Sequence, residues 1–286
     1  MLTRRVIPTI IIKEDRVVQS KGFKQHLPIG IPEIAVKYLA DWGADEILLL
    51  DISASKLDKA PNYSMVEKCS INLQIPLTVG GGISTVTKAR SVFNAGADKI
   101  SINSSASSLL FAEIGELYGA QAIVFAIDVV RKGSKSLVYD HRKHLVSSQS
   151  VKQKILEIDN NLYGELLVQA VDRDGAECGF DIECLSKIEK HLGNPVIALG
   201  GYGTPDHLNE LFGETSVSAG AIGNVMHHYE HSLMIAKTHL GLNSSIRLET
   251  TGDYDLLPVD SLGRILKRSN AYLNELFYAK PKKDVI

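Results

Sequence analysis

Short apolar runs recur along the chain, and each is followed by a stretch in which apolar residues have helical spacing. Segments 33–39 and 185–188 show that spacing, with apolar residues three or four positions apart. Continuous apolar strands that alternate with helices predict a closed parallel sheet. The eight predicted strands are residues 6–12, 46–50, 77–80, 98–102, 121–127, 165–170, 195–199 and 219–223.

Polar residues and glycines at the predicted strand ends recur about 120 positions later in the chain. This repeat indicates two duplicated half-units, although any α/β barrel repeats short apolar strands. The prediction is an α/β fold, a single (β/α)8 TIM barrel built of two half-barrels. The matched pairs are Asp51 with Asp172, Gly80 with Gly200, and Asn103 with Asn224.

The barrel is predicted to occupy residues 1–248, with a C-terminal helical extension over residues 249–286. Apolar residues between Val259 and Phe277 have the spacing of an amphipathic helix. Such a helix could pack on the barrel or bind a partner, and the sequence does not decide between them.

Composition excludes several classes of function. The net charge of −2 provides no broad positive field for nucleic acid. Cys69, Cys178 and Cys184 form no CxxC pair, and an odd count argues against a disulfide framework, so a reducing cytoplasm is expected. No apolar run approaches the roughly 18 residues of a membrane span. Residues 6–12 are interrupted by Pro8, which favours a strand over a signal peptide.

No metal site or cofactor is expected. His227, His228 and His231 have helical spacing, but they lack an HExxH pattern and a nearby cysteine pair.

Two glycine clusters, residues 80–82 and 200–203, each follow a predicted strand and precede a predicted helix. Glycine lets the backbone approach an anion, and free N–H groups at a helix start point towards it. One such cluster could simply permit a tight turn. Two clusters with Asn103 and Asn224 beside them favour a long ligand that carries a phosphate at each end, or a diphosphate with a second polar end.

Five segments together resemble the cyclase subunit of imidazole glycerol phosphate synthase, and the resemblance covers about residues 1–248. That family receives ammonia from a separate glutaminase subunit, passes it through the barrel, and cleaves and cyclises a bisphosphate at the other face. The segments that carry the resemblance are 51–55, 78–83, 97–103, 126–128 and 172–175.

The resemblance implies two phosphate sites at the carboxyl ends of the strands. Asn224 stands where the family has a serine. The residues carried over are Gly81, Gly82, Asn103 and Ser104 for one site, and Asp174, Gly175, Gly201, Gly223 and Asn224 for the other.

At the amino-end floor of the barrel, the resemblance implies a charged ring that gates the entry of ammonia. Four charges that converge there must pair with one another to tolerate partial burial. Any one of them alone is equally consistent with an ordinary surface charge. The four residues are Arg5, Glu46, Lys99 and Glu165.

The departures from the family lie at the opposite, active face. Asp128 matches the catalytic acid of the family, but Ile11 occupies the position of its aspartate general base, and isoleucine cannot exchange a proton. Gln19 replaces a substrate-contacting lysine, and Gln169 and Leu199 replace small hydroxyl residues. The paired acid–base mechanism is therefore incomplete, and Asp128 could also be a buried structural carboxylate.

This pattern resembles a second branch of the family, the acetamidino modification proteins encoded with surface-polysaccharide genes. The branch implies a class I glutaminase partner, a third ATP-dependent amidotransferase, and a phosphorylated small-molecule or nucleotide-sugar substrate. Its reaction converts an acetamido group on a sugar into an acetamidino group.

Three functions remain open. The first is an ammonia-conducting synthase subunit in polysaccharide sugar amidination. The second is a cyclase of histidine biosynthesis with altered catalytic residues. The third is a non-enzymatic activator of the glutaminase. The chain has no Cys-His arrangement that suggests an internal glutaminase, so a separate nitrogen donor is expected.

Overall fold

The computed structural model describes residues 3–57, 59–190, 192–228 and 231–241. The predicted C-terminal extension, residues 249–286, lies outside this part of the chain and stays a prediction.

Over these residues, twelve strands form one sheet, and eight of them close into a parallel barrel in the order β1-β4-β5-β6-β7-β10-β11-β12. The barrel closes where Ala219–Ile222 pair with Arg5–Pro8. All eight predicted strands are confirmed. The strands are β1 (Arg5–Lys13), β2 (Arg16–Lys21), β3 (Gln25–Gly30), β4 (Ile47–Asp51), β5 (Leu77–Gly80), β6 (Lys99–Ile102), β7 (Ile123–Lys132), β8 (Lys135–Asp140), β9 (Leu145–Ser150), β10 (Glu165–Ala170), β11 (Val196–Leu199) and β12 (Ala219–Ile222).

Helices follow the barrel strands and cover the outside of the sheet. Side-chain caps begin several of them: Thr85 accepts the Lys88 amide, and Asp181 accepts the Cys184 amide. The helices are α1 (Pro32–Asp41), α2 (Ile52–Leu57), α3 (Tyr63–Ser70), α4 (Val86–Asn94), α5 (Ser108–Tyr118), α6 (Val151–Ile155), α7 (Ile182–Glu189), α8 (Pro205–Glu214) and α9 (Ser232–Gly241).

Two antiparallel hairpins rise from the carboxyl-end mouth of the barrel, and the sequence analysis did not predict them. β1 continues into β2–β3 through a two-residue turn in which Glu14 and Asp15 both have positive φ. β7 continues into β8–β9 through a turn that begins with Gly133. Because the first strand of each half carries such a hairpin, the hairpins follow the predicted duplication.

Alternate side chains of the barrel strands point inwards and fill the interior, as expected for a small closed barrel. The remaining side chains pack outwards against the helices in a second, larger apolar cluster. The interior cluster contains Ile7, Leu48, Val124, Ala126, Leu167, Ile197, Leu199, Ala219 and Ala221, with Leu50 packed against it.

A buried ion pair joins helix α9 to the amino end of the barrel. Lys237 Nζ lies 2.9 Å from Asp45 Oδ1 and donates to the Gly43 carbonyl oxygen, also at 2.9 Å. Both side chains are 0% exposed. The second oxygen of Asp45 accepts the Val6 amide at 2.8 Å, so one carboxylate connects α9 to β1.

We expect Lys237→Met to destabilise the barrel. The change leaves Asp45 buried without its cation, which typically costs about 3–5 kcal/mol. Urea unfolding at neutral pH measures the loss. The matched control is Lys37→Met, because Lys37 forms an exposed pair with Asp41 on α1. An exposed pair contributes about 0–1 kcal/mol, so equal losses in the two variants would contradict the prediction.

Candidate functional site

The four predicted floor charges meet in one closed ring at the amino end of the barrel. Arg5 Nη1 lies 2.8 Å from Glu46, and its other terminal nitrogen pairs with Glu165. Lys99 Nζ lies 2.9 Å from Glu46 and 2.7 Å from Glu165. Thr78 Oγ1 donates to the remaining oxygen of Glu46 at 2.6 Å. Positive and negative charges alternate, so the ring is electrically neutral.

Pairing across the ring outweighs the effect of burial on the pKa values of Glu165 and Arg5. Burial raises the pKa of the Glu165 carboxyl, but the Arg5 and Lys99 charges and their hydrogen bonds outweigh that effect and lower the pKa below its usual value. Burial likewise opposes the charge on Arg5, yet Glu165 and Glu46 raise the pKa of its guanidinium. The Arg5–Glu165 pair therefore stays charged at neutral pH.

Polar side chains also lie inside the barrel above the ring. Thr9, Ser101 and Gln169 are buried, and each lies on the inward-facing positions of its strand. The Thr9 hydroxyl has no hydrogen-bond partner among the described residues. The interior thus combines apolar walls with scattered hydrogen-bonding groups.

At the carboxyl-end mouth, Ile11 and Asp128 occupy inward-facing positions on β1 and β7. These strands are first and fifth in the barrel order, so they lie on opposite sides of the mouth. Ile11 is 7% exposed beside Leu50, and Asp128 is 4% exposed beside Gln169. The two positions at which the resemblance implies an acid–base pair therefore face one mouth, with only one carboxylate present.

Asp128 has a partner that the sequence analysis missed. His141 Nδ1 lies 2.8 Å from Asp128 Oδ2, and His141 Nε2 lies 3.4 Å from Ser104 Oγ. His141 is thirteen residues away in the chain, at the tip of the β8–β9 hairpin. The Gly133-Ser134 pair between two β-prone runs was the available signal, since such a pair is typical of a hairpin that turns back over the end of β7.

The first glycine turn packs closely on the neighbouring strand end. Gly81 and Gly82 have positive φ, and a Cβ on them would lie 2.1 Å from the Asp51 carbonyl oxygen and 2.2 Å from the Lys59 carbonyl oxygen. Only glycine fits there without movement of the backbone. Asn103 and Ser104 follow β6, the strand next to this turn, so the structure groups the residues predicted for the first phosphate site.

In the second half, two predicted phosphate-site side chains hold the β2–β3 hairpin. Ser20 Oγ donates to Asp174 Oδ2 at 2.7 Å, and the Phe23 amide donates to the same oxygen at 3.2 Å. Burial raises the pKa of the Asp174 carboxyl above its usual value, and these hydrogen bonds offset only part of that increase. The Asn224 amide group both accepts from and donates to the Ser20 backbone. Their polar atoms are thus engaged by the hairpin.

Of the predicted glycines in the second half, Gly175 lies close to the same hairpin. Gly175 has positive φ, and a Cβ there would lie 2.6 Å from the Ser20 carbonyl oxygen. Gly201 also has positive φ, and its Cβ would lie 1.9 Å from the Gly179 carbonyl oxygen. Gly223 precedes the turn that begins at Asn224. Gly175, Gly201 and Gly223 thus follow three neighbouring strands, β10, β11 and β12, at the mouth.

Among the described residues, no cluster of three or more histidine, cysteine or acidic side chains has a geometry that could hold a metal ion. Burial and the charge of His228 lower the pKa of His227 to about 4. None of the helices in this part of the chain is both long and apolar enough to cross a membrane.

Comparison with known proteins gives a consistent result. The family model described as histidine biosynthesis protein matches residues 5–232. The chain is 36% identical over 267 residues to a Vibrio vulnificus protein named "Putative imidazole glycerol phosphate synthase subunit hisF2", covering 92% of this chain and 98% of that protein. It is 38% identical over 245 residues to the imidazole glycerol phosphate synthase subunit HisF of Chloroherpeton thalassium, covering 84% of this chain and 96% of that protein. It is 36% identical over 242 residues to HisF of Exiguobacterium sibiricum, covering 84% of this chain and 97% of that protein.

We expect Glu165→Gln to lower stability in a pH-dependent way. The folded pKa of Glu165 lies below the ordinary 4.5, so its contribution is present above about pH 4.5 and is lost as the pH falls through the lower folded value. Loss of charge-assisted hydrogen bonds costs about 1–3 kcal/mol at neutral pH. Unfolding curves recorded between neutral and acidic pH should show that the free energies of unfolding of the variant and the unchanged protein become equal at acidic pH.

The control for this series is Glu113→Gln, at an exposed position on α5. Such a surface change should alter the free energy of unfolding by less than about 0.5 kcal/mol. If the difference in the free energy of unfolding between Glu165→Gln and the unchanged protein stays constant with pH, the stability cannot be assigned to the ionised Glu165 carboxylate.

Proposed function

Because this HisF-like chain belongs to the histidine biosynthesis protein family, we propose that it receives ammonia from a separate class I glutaminase and delivers it for amidination of an acetamido sugar in surface-polysaccharide biosynthesis. One contrast carries the proposal. The ring of Arg5, Glu46, Lys99 and Glu165 is complete at the floor, whereas Ile11 occupies the position of the base at the mouth. A barrel used only to bind phosphate has no need for such a gate.

The floor also offers a surface suited to a protein partner. Helices in this fold run antiparallel to the strands, so their carboxyl ends surround the floor. Ile71 and Leu117 lie at the carboxyl ends of α3 and α5, and their exposed fractions are 63% and 52%. Exposed apolar side chains around a charged centre are typical of protein–protein contact surfaces. A glutaminase docked there would release ammonia next to the ring.

The interior supports passage of a small neutral molecule. Ammonia can donate and accept hydrogen bonds. The Thr9 hydroxyl, which has no partner within the part of the chain that the structure describes, lies inside the barrel above Arg5. Ser101 and Gln169 place further polar groups along the interior. The apolar residues between them disfavour the charged ammonium ion, because an unpaired charge is costly to bury.

At the mouth, we assign a phosphorylated substrate to the two glycine turns. The turn with Gly82, Asn103 and Ser104 forms one phosphate site, and the turns with Gly201 and Gly223 form the other. Backbone N–H groups at such turns bind anions. In the second site the side chains of Asp174 and Asn224 position the β2–β3 hairpin.

A true imidazole glycerol phosphate synthase cyclase is the second candidate. The names of the HisF relatives, 36–38% identical over 84% of this chain, favour it. The hisF2 alignment covers 92% of the chain and so includes residues that the HisF alignments do not reach. That wider coverage, with Ile11 at the mouth, supports a branch that differs from the histidine-pathway enzyme. An ATP-dependent amidotransferase is the further partner that this branch implies.

The first functional prediction concerns Ile11. The chain alone should show little cyclase activity with the histidine-pathway bisphosphate and ammonium, because loss of a positioned acid–base group costs about 10²–10⁴-fold. Ile11→Asp should raise any residual turnover. Ile11→Asn is the matched control, because asparagine has a shape similar to that of aspartate but cannot exchange a proton. Turnover in the unchanged chain equal to that of HisF enzymes would favour the second candidate.

The second prediction concerns the phosphate sites. Calorimetry with inorganic phosphate, bisphosphates and nucleotide-sugars should detect binding that Gly82→Val weakens, because the added side chain collides with the Lys59 carbonyl oxygen and displaces the turn. Gly133→Val is the control: Gly133 also has positive φ, but a Cβ there meets nothing within 4 Å. If Gly82→Val and Gly133→Val bind the phosphate ligands with equal affinity, the phosphate site does not lie at the Gly82 turn.

The third prediction concerns the partner. A class I glutaminase should co-purify with the chain through an interface of about 1,200–2,000 Å². The barrel should increase its rate of glutamine hydrolysis. Failure of the purified pair to associate or to change that rate would leave the charged ring as a salt-bridge cluster that closes the barrel floor.

Within the assembled complex, Lys99→Glu should uncouple glutamine hydrolysis from nitrogen transfer, because a third negative charge disrupts the gate. Lys99→Met tests loss of the cation without charge reversal. Lys37→Glu is the control, since Lys37 lies on α1 in an exposed pair. Circular dichroism confirms that each variant stays folded. Full coupling in Lys99→Glu would refute a gating role for the ring.

A further inference from the structure

The tip of the β8–β9 hairpin is an ordered turn that lies beside the end of β7. Asp140 Oδ1 accepts the backbone amides of Arg142 and Lys143 at 3.0 and 3.1 Å. His144 has positive φ and completes the reversal of the chain. The turn holds His141 in a defined place, because hydrogen bonds constrain the backbone on its carboxyl side and strand pairing constrains β8 on the other.

Asp128 and His141 together orient one imidazole nitrogen towards the mouth. Asp128 Oδ2 lies 2.8 Å from His141 Nδ1, so the carboxylate accepts the proton on that nitrogen. In the neutral imidazole, Nε2 is then the acceptor. It faces Ser104 Oγ at 3.4 Å, and the His141 side chain remains 20% exposed. A ligand can therefore reach the histidine more readily than Asp128, which is almost fully buried.

We propose that His141 is the proton-transfer residue of the carboxyl-end face, and that Asp128 is a positioning residue that acts through it. The ligand is a phosphate-bearing small molecule anchored at the turn of Asn103 and Ser104, with the group that gains or loses a proton next to His141 Nε2. This inference rests on the phosphate site of the proposed function. It assigns the histidine the acid–base role that Ile11 cannot perform.

One cationic side chain near His141 lies beside the predicted phosphate site. The charged and titratable groups around the histidine are Asp128 from β7, Tyr139 and Asp140 from β8, and Arg142, Lys143 and His144 in the turn. Arg142 Nη2 lies 3.5 Å from the Ser104 carbonyl oxygen, so a guanidinium adjoins the predicted phosphate site. Burial and the charges of Asp128 and Asp140 raise the pKa of Tyr139, which keeps its hydroxyl neutral.

The competing interpretation is that His141 only fastens the hairpin to the barrel. A structural histidine would keep its bond to Asp128, but its Nε2 would not respond to a ligand. The two interpretations therefore differ in the behaviour of Nε2 when phosphate binds.

Nitrogen-15 NMR of the full chain with labelled histidine tests the inference, with His141→Gln used to assign the signals. At alkaline pH, His141 should be in the Nδ1–H form, and Asp128→Ala should reduce the ratio of Nδ1–H to Nε2–H roughly tenfold, the size of one charge-assisted hydrogen bond. Inorganic phosphate should shift the Nε2 signal of His141. His144→Gln, three residues away in the same turn, should leave both observations unchanged.

A dominant Nε2–H form in the unchanged chain would overturn the inference, and so would phosphate binding, detected by calorimetry, that leaves the Nε2 signal in place. The absence of any phosphate binding would instead refute the phosphate site of the proposed function. In that case the inference is overturned as well, because the ligand anchor on which it rests is absent and a structural histidine would show the same tautomer.

Discussion

Closure of the parallel sheet, in which β12 pairs with β1, is the constraint on which the other features of this protein depend. Once the sheet is closed, alternate side chains of each strand must occupy the interior. The floor charges Arg5, Glu46, Lys99 and Glu165 are then forced together, and only a neutral, fully paired arrangement is compatible with their burial. The same alternation brings Ile11 and Asp128 to opposite sides of the mouth.

The two ends of the barrel differ in how far they follow the family. At the floor, each expected charge is present and paired, and Thr78 satisfies the remaining oxygen of Glu46. At the mouth, an apolar side chain replaces one expected carboxylate, and the other, Asp128, is bound to a histidine from a hairpin. A single fold thus combines a complete charged ring at the floor with an altered mouth, which is consistent with chemistry carried by loops on a constant scaffold.

The hairpins connect parts of the chain that are distant in sequence. Ser20, on the hairpin of the first half, bonds to Asp174 and Asn224 of the second half. His141, on the hairpin of the second half, faces Ser104 of the first half. Each hairpin therefore covers residues of the opposite half-barrel, so both halves are needed to build either side of the mouth.

The sequence by itself determined the barrel and its eight strands, because apolar periodicity is a local signal, and the resemblance to the family identified the floor charges. It also placed Asp128 at a strand end, but it could not show what that carboxylate contacts. The His141 contact, and the use of Asp174 and Asn224 to hold a hairpin, were decided by the tertiary structure. These contacts join residues from different elements, and their geometry is set by the closure of the sheet and by how each hairpin folds back over the mouth.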